Sequence, residues 1–168
     1  QAGDVAGVDC GVFYKGFHTD MSETVKVKGS KVQGSDKIDK FLKTGKKALN
    51  EGIKVAIAGN RIGYVSKTIQ NIVEKENGYS IVRSLVGHGV GKNLHEDPEV
   101  PGFLIGDIND TALLRPGMTI AVEVIYNMGK PDVEVLEDRW TIRTKDKSIS
   151  GVFEKTIAIR SGAPLILT

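Results

Sequence analysis

The sequence predicts an α+β domain built around a curved, mostly antiparallel sheet with covering helices. Three observations carry that expectation. Several β-rich segments alternate or run apolar, two stretches place apolar residues at helical spacing, and Gly, Pro and Asn punctuate the joins. The chain has 168 residues, 40% of them hydrophobic, which suits a single domain over 1–168 with its own core.

Val5–Tyr14 and Phe17–Val27 are β-rich, and Lys15-Gly16 between them is a hairpin turn candidate. Ser35 is a suitable N-cap, and Ile38, Phe41, Leu42, Ala48, Leu49 and Ile53 follow at helical spacing to about Ala56. Gly59-Asn60 breaks that helix. Ile62–Glu76 reads as a second one, with Val65, Ile69, Ile72 and Val73 inward, until Asn77-Gly78 ends it. Tyr79–Val86 is expected to be a strand entering a glycine-rich loop. Residues 96–118 read as a long loop closed by Arg115-Pro116-Gly117. Strands are expected at Met118–Tyr126, Val133–Leu136, Trp140–Thr144 and Val152–Ile159.

Composition excludes several classes of function. A formal net charge of +2 with 26% charged residues argues neither for nucleic acid nor for a membrane surface as the main partner. Lysines crowd the stretch from Lys26 to Lys54, where a solvated helix face explains them better than a ribosome- or RNA-contacting patch. The single cysteine, Cys10, allows no internal disulfide and fits a reducing, cytoplasmic compartment. No apolar run approaches the ~18 residues of a membrane span, and no signal-peptide pattern is present.

The segment SLVGHGVGKNLHEDP, residues 84–98, resembles a phosphate loop only superficially. Gly87 to Gly91 is one residue too short, and Lys92 is followed by Asn93 rather than by a hydroxyl residue. Its histidines need other company. If Lys15-Gly16 is a two-residue loop, Asp20 faces Gly11 and Asp9 lies diagonally from it on the same face, ~7–8 Å away. A three-residue loop would separate them, and such a pair is also common as surface decoration. Glu123 and Glu154 each interrupt apolar strands, sharing their faces with Thr119, Ala121 and Ile125, and with Thr156 and Ala158. Carboxylates there need a cation, a hidden Lys or Arg, or a strand edge. Four acids with His88 form a donor set for hard or borderline divalent ions.

These residues resemble type I methionine aminopeptidases. The resemblance lies in GVDCGVFYKGFHTDMS, GHGVGKNLHEDPEVP, LRPGMTIAVEVIYNMGK and WTIRTKDKSISGVFEKTIAI, and extends through the closing APLILT. It implies the pita-bread fold and two divalent metal ions (cobalt, manganese, iron or zinc) held by Asp9, Asp20, His88, Glu123 and Glu154. It also implies removal of N-terminal methionine from peptides and nascent chains by metal-activated water. Glu123 would shuttle protons and His95 would stabilise the tetrahedral intermediate. Trp140 and Leu94 would wall the methionine pocket. The ribosome is a further partner that this reading admits.

The chain departs from the family pattern at Val124, where proline is usual, and at Lys155, where histidine is common. Lys155 is expected to alternate away from the metal face. A segment that precedes the first aspartate strand in the family has no counterpart before Asp9. The expectation is a catalytic domain truncated on that side, still able to bind metal but impaired as a peptidase. A separate N-terminal fragment would then be a partner. A proline-directed aminopeptidase of the same fold and a non-catalytic pita-bread binding module are the alternatives.

Overall fold

The computed structural model describes residues 4–27 and 35–168. Lys15 and Gly16 both take positive φ, 47° and 88°, as a two-residue hairpin turn requires. The turn joins β1 (Val5–Tyr14) to β2 (Phe17–Lys26) and sets their register: Tyr14 opposite Phe17, Gly11 opposite Asp20, Asp9 opposite Ser22. Of the two loop lengths the sequence left open, the two-residue one forms.

Two helices follow, α1 (Ser35–Val55) and α2 (Ile62–Gln70), the latter continuing as a wider π-helical turn over Asn71–Glu76. The N-cap role expected of the Ser35 side chain lies outside the described residues. The remaining strands are β3 (Ser80–Ile81), β4 (Gly87–Gly89), β5 (Glu96–Val100), β6 (Thr119–Asn127), β7 (Val133–Val135), β8 (Ile142–Thr144), β9 (Ser150–Ala158) and β10 (Leu165–Ile166). The main sheet has the order β1-β2-β9-β6-β4-β5, with β10 paired to β9 and β3 to β6, while β7 and β8 form a separate ribbon. Every pairing among the described strands is antiparallel.

Strand alternation divides the sheet into two faces. Val122, Val124 and Tyr126 on β6, with Phe153 and Ile157 on β9, are fully buried in the core with Phe41, Leu49 and Ile53 of α1. Each such apolar side chain contributes about 1.5–3 kcal/mol by leaving water. The helix docks closely because Gly45 has no Cβ: one there would lie 2.4 Å from the Phe153 ring. Gly45 N–H donates to Tyr126 Oη at 3.0 Å, and that hydroxyl donates to the Phe41 carbonyl. The opposite face of the same strands carries Glu123 and Glu154. Lys155 falls on the helix side, opposite Met21 and Val122.

Three expectations need correction. Residues 96–100 are a strand, not part of a long loop: Gly89 pairs with Glu96 and Gly87 with Val100, and a register shift lies between them. Pro98 sits within that irregularity on an edge strand, where no ladder N–H is demanded of it. The strand expected over Tyr79–Val86 shortens to Ser80–Ile81, because after Val82 N–H donates to the Ile125 carbonyl the chain turns away from β6. Arg83 there is drawn off to Glu74 and lies over the Phe103 ring. Finally, β8 begins at Ile142 rather than Trp140. Asp138 accepts from the N–H groups of Trp140 and Thr141 and from the Thr141 hydroxyl, holding these residues in a turn.

Candidate metal centre

Register brings the donor set together in two adjacent rows on one face of the sheet. In the first row Asp9 stands opposite Ser22, Ser22 opposite Glu154, and Glu154 opposite Glu123. In the second, Gly11 stands opposite Asp20, while Ala121 stands opposite both Thr156 and His88. Thr156 meets Asp20 through its hydroxyl. Gly87 and Gly89, flanking His88, are required by the neighbouring strands rather than by the site. A Cβ on Gly87 would approach the Ala121 carbonyl oxygen to 2.4 Å, and one on Gly89 the Asp97 carbonyl oxygen to 2.2 Å.

Carboxylate oxygens of Asp9, Asp20 and Glu154 lie within 4.8 Å of one another, as do ligand atoms of Asp20, His88 and His95. His88 Nε2 is 3.8 Å from Glu154 Oε1 and 3.9 Å from Asp20 Oδ2. Its Nδ1 lies 2.8 Å from the Gly89 carbonyl, which can only accept. Nδ1–H can donate to that carbonyl, which leaves Nε2 turned toward the carboxylates as the ligand atom. The His95 ring lies 4.3 Å from that of His88. Its loop is held by Asn93 N–H donating to Glu96 Oε1 and by His18 N–H donating to the Gly91 carbonyl. Leu94 reaches over Gly11 from the same loop.

Crowded acids in a buried patch resist ionisation. Glu123 is pushed up to about 7 by burial and then by the charges of Asp9 and Asp20. Glu154 is pushed up to about 9 by burial and then by Glu123, Asp20 and Asp9. Asp9 is raised by burial and then by Asp20. Among the described residues no Lys or Arg pairs with any of these groups. The Ser22 hydroxyl, 1% exposed and in the row between Asp9 and Glu154, has no hydrogen-bond partner. An uncompensated set of oxygen donors, one inward imidazole nitrogen and an orphaned hydroxyl fit divalent cations in chemistry.

Beside the carboxylates lies a cavity of about 650 Å³. Asp9 and Glu123 contribute to its wall, and Val82, Leu85, Ile125, Ile142 and Val152 make much of the rest apolar. The sequence reading did not single out this lining, although Ile125 and Val152 share faces with Glu123 and Glu154 by simple alternation. Trp140 stands in the turn before β8, 86% exposed, and does not line the cavity.

Residues 1–161 match the profile of metallopeptidase family M24. The chain belongs to that family. As an M24 member it is 40% identical over 166 residues to the methionine aminopeptidase of Clostridium perfringens, covering 99% of this chain and 64% of that relative. The crystal structure of the Thermotoga maritima methionine aminopeptidase superposes with a TM-score of 0.90 at 37% identity, over 100% of this chain and 65% of that one. The M24 chain described here thus spans a little under two thirds of the length of these relatives. A prolidase from Pyrococcus horikoshii, 23% identical with a TM-score of 0.75 over 100% of this chain and 41% of that one, shares the fold. That fold is the pita-bread fold expected from the sequence.

Proposed function

We propose that this chain carries a methionyl aminopeptidase centre, with Asp9, Asp20, His88, Glu123 and Glu154 holding two divalent metal ions. The observation that carries the reading is the convergence of Asp9, Asp20, His88 and Glu154, with Glu123 opposite Glu154, on one sheet face beside an apolar cavity. Sequence similarity to methionine aminopeptidases supports it further. When bound, such ions lower the pKa of water and polarise a carbonyl.

The chain's own residues supply the remainder. Glu123, opposite Glu154 and on the wall of the cavity, takes up and returns a proton at its carboxylate. His95, exposed and beside His88, reaches the substrate carbonyl oxygen as a hydrogen-bond donor. The methionine side chain enters the apolar cavity, where an unbranched thioether fills irregular space well. Leu94, which reaches over Gly11 from the His95 loop, contacts the substrate. The substrates are N-terminal-methionine peptides and nascent chains in the cytoplasm, with the ribosome as a partner. Exposed Val12, Phe13 and Phe17 along the β1–β2 edge support a separate polypeptide fragment as another partner.

A manganese or cobalt titration by calorimetry, paired with cleavage of Met-Ala and Xaa-Pro peptides, tests this reading. The expected result is saturable metal binding with a preference for Met-Ala. Absence of saturable binding, or faster cleavage of Xaa-Pro, would overturn it.

A further inference from the structure

The seam between β2 and β9 has few backbone pairs, Met21 with Lys155 and Ser22 with Glu154. Beyond each end a threonine hydroxyl takes the place of the ladder. Asp20 N–H donates to Thr156 Oγ1 at 2.8 Å, and the same hydroxyl donates to the Asp20 carbonyl at 2.8 Å. Thr24 does the equivalent for Val152, accepting from its N–H at 2.8 Å and donating to its carbonyl at 2.7 Å. Both threonines are buried, 1% exposed for Thr156 and 2% for Thr24. One hydroxyl can do both jobs because it carries a donor and acceptor lone pairs.

The two ends differ in what they hold. Thr24 secures a valine, whereas Thr156 secures the backbone of Asp20. The Asp20 carboxylate is itself fixed through Oδ1, which accepts from Met21 N–H at 3.0 Å, while Oδ2 faces His88. From the β10 side, Thr168 Oγ1 accepts from Thr156 N–H at 3.1 Å and donates to the Asp20 carbonyl at 3.4 Å. A valine at Thr156 would keep the shape, leave the Asp20 N–H without its acceptor and leave the Asp20 carbonyl only the longer Thr168 contact.

We propose that Thr156, braced by Thr168, is a positioning residue for the metal centre: its hydroxyl locks the Asp20 backbone so that the carboxylate is held toward His88. This rests on the metal reading above and extends it to the group that orients a ligand. Outer partners of this kind are worth about 10–100-fold in metal affinity.

Isothermal titration of the whole chain with Mn²⁺ tests the inference, comparing wild type with Thr156→Val, Thr156→Ser and Thr24→Val. Thr156→Val is expected to weaken binding about 10–100-fold and Thr156→Ser to restore it. Thr24→Val should lower thermal stability yet keep wild-type affinity. Should Thr156→Val fail to fold, Thr168→Val removes only the brace, and its affinity is expected to fall in the same direction. Unchanged affinity in a folded Thr156→Val or Thr168→Val, or an equal loss in Thr24→Val, overturns the proposal. Wild type that binds no Mn²⁺ would instead bring down the metal reading, and this inference with it.

Discussion

Glu154 and Asp9 share a row of the sheet but live in different surroundings. Glu154 stands on a central strand, 2% exposed, with Glu123 directly opposite. Asp9 stands on the edge strand β1, much of which is solvent-exposed, Val8 at 60% and Phe13 at 63% included. Both carboxyls are raised by burial first, yet only Glu154 reaches about 9. Glu154 is the deeper of the two and also faces more acidic neighbours, and both set how strongly it holds its proton. In the metal-free protein the central strands therefore carry the electrostatic cost of the site, and the edge carries little of it.

The largest expected effect comes from breaking the central pair. Glu154→Gln should weaken divalent-ion binding by more than about 100-fold in calorimetry, since it removes a ligand rather than a ligand's support. The same change should raise metal-free stability by on the order of a few kcal/mol at alkaline pH in denaturant titrations. If it destabilises instead, the carboxylate has a partner and the contrast with Asp9 fails.

The pH dependence follows from the same pair. Glu123 and Glu154 have folded-state values of about 7 and about 9, above the ordinary 4.5. The native state thus binds more protons than the unfolded one between those values. Their contribution to stability is fully present below pH 4.5 and is lost as pH rises through about 7 and about 9. Melting temperatures of the metal-free protein should fall across that window, and saturating Mn²⁺ should flatten the decline. A metal-free melting temperature that climbs over the window would contradict the burial argument.

Smaller effects sharpen the comparison away from the acids. Gly45→Ala forces a methyl to within 2.4 Å of Phe153 and should cost about 1–3 kcal/mol in urea unfolding while leaving metal affinity alone. Val12→Thr, on the exposed edge, should change stability by less than about 0.5 kcal/mol. A larger loss there would mean that the edge is covered in solution.

Much of the fold was legible because its determinants are local. Lys15-Gly16 announces a two-residue hairpin, and the apolar spacing from Phe41 to Ile53 announces a helix face. Glu123 and Glu154 stood out because ionised groups are costly in apolar strands. By contrast, β5 was hidden by Pro98, whose tolerance depends on a register irregularity that only pairing creates. The pairing of Thr156 with Asp20 was equally hidden, since it joins strands far apart in the chain.

Sequence alone determined which residues alternate onto one face, where the hairpin turns, and which chemistry the acids and His88 can support. Only the tertiary structure decided that those faces line up. Asp20 and Thr156 lie 136 residues apart, and their meeting depends on the register of β9 against β2. Alternation is a property of each strand by itself, whereas alignment between strands is settled when the helices bury the other side of the sheet.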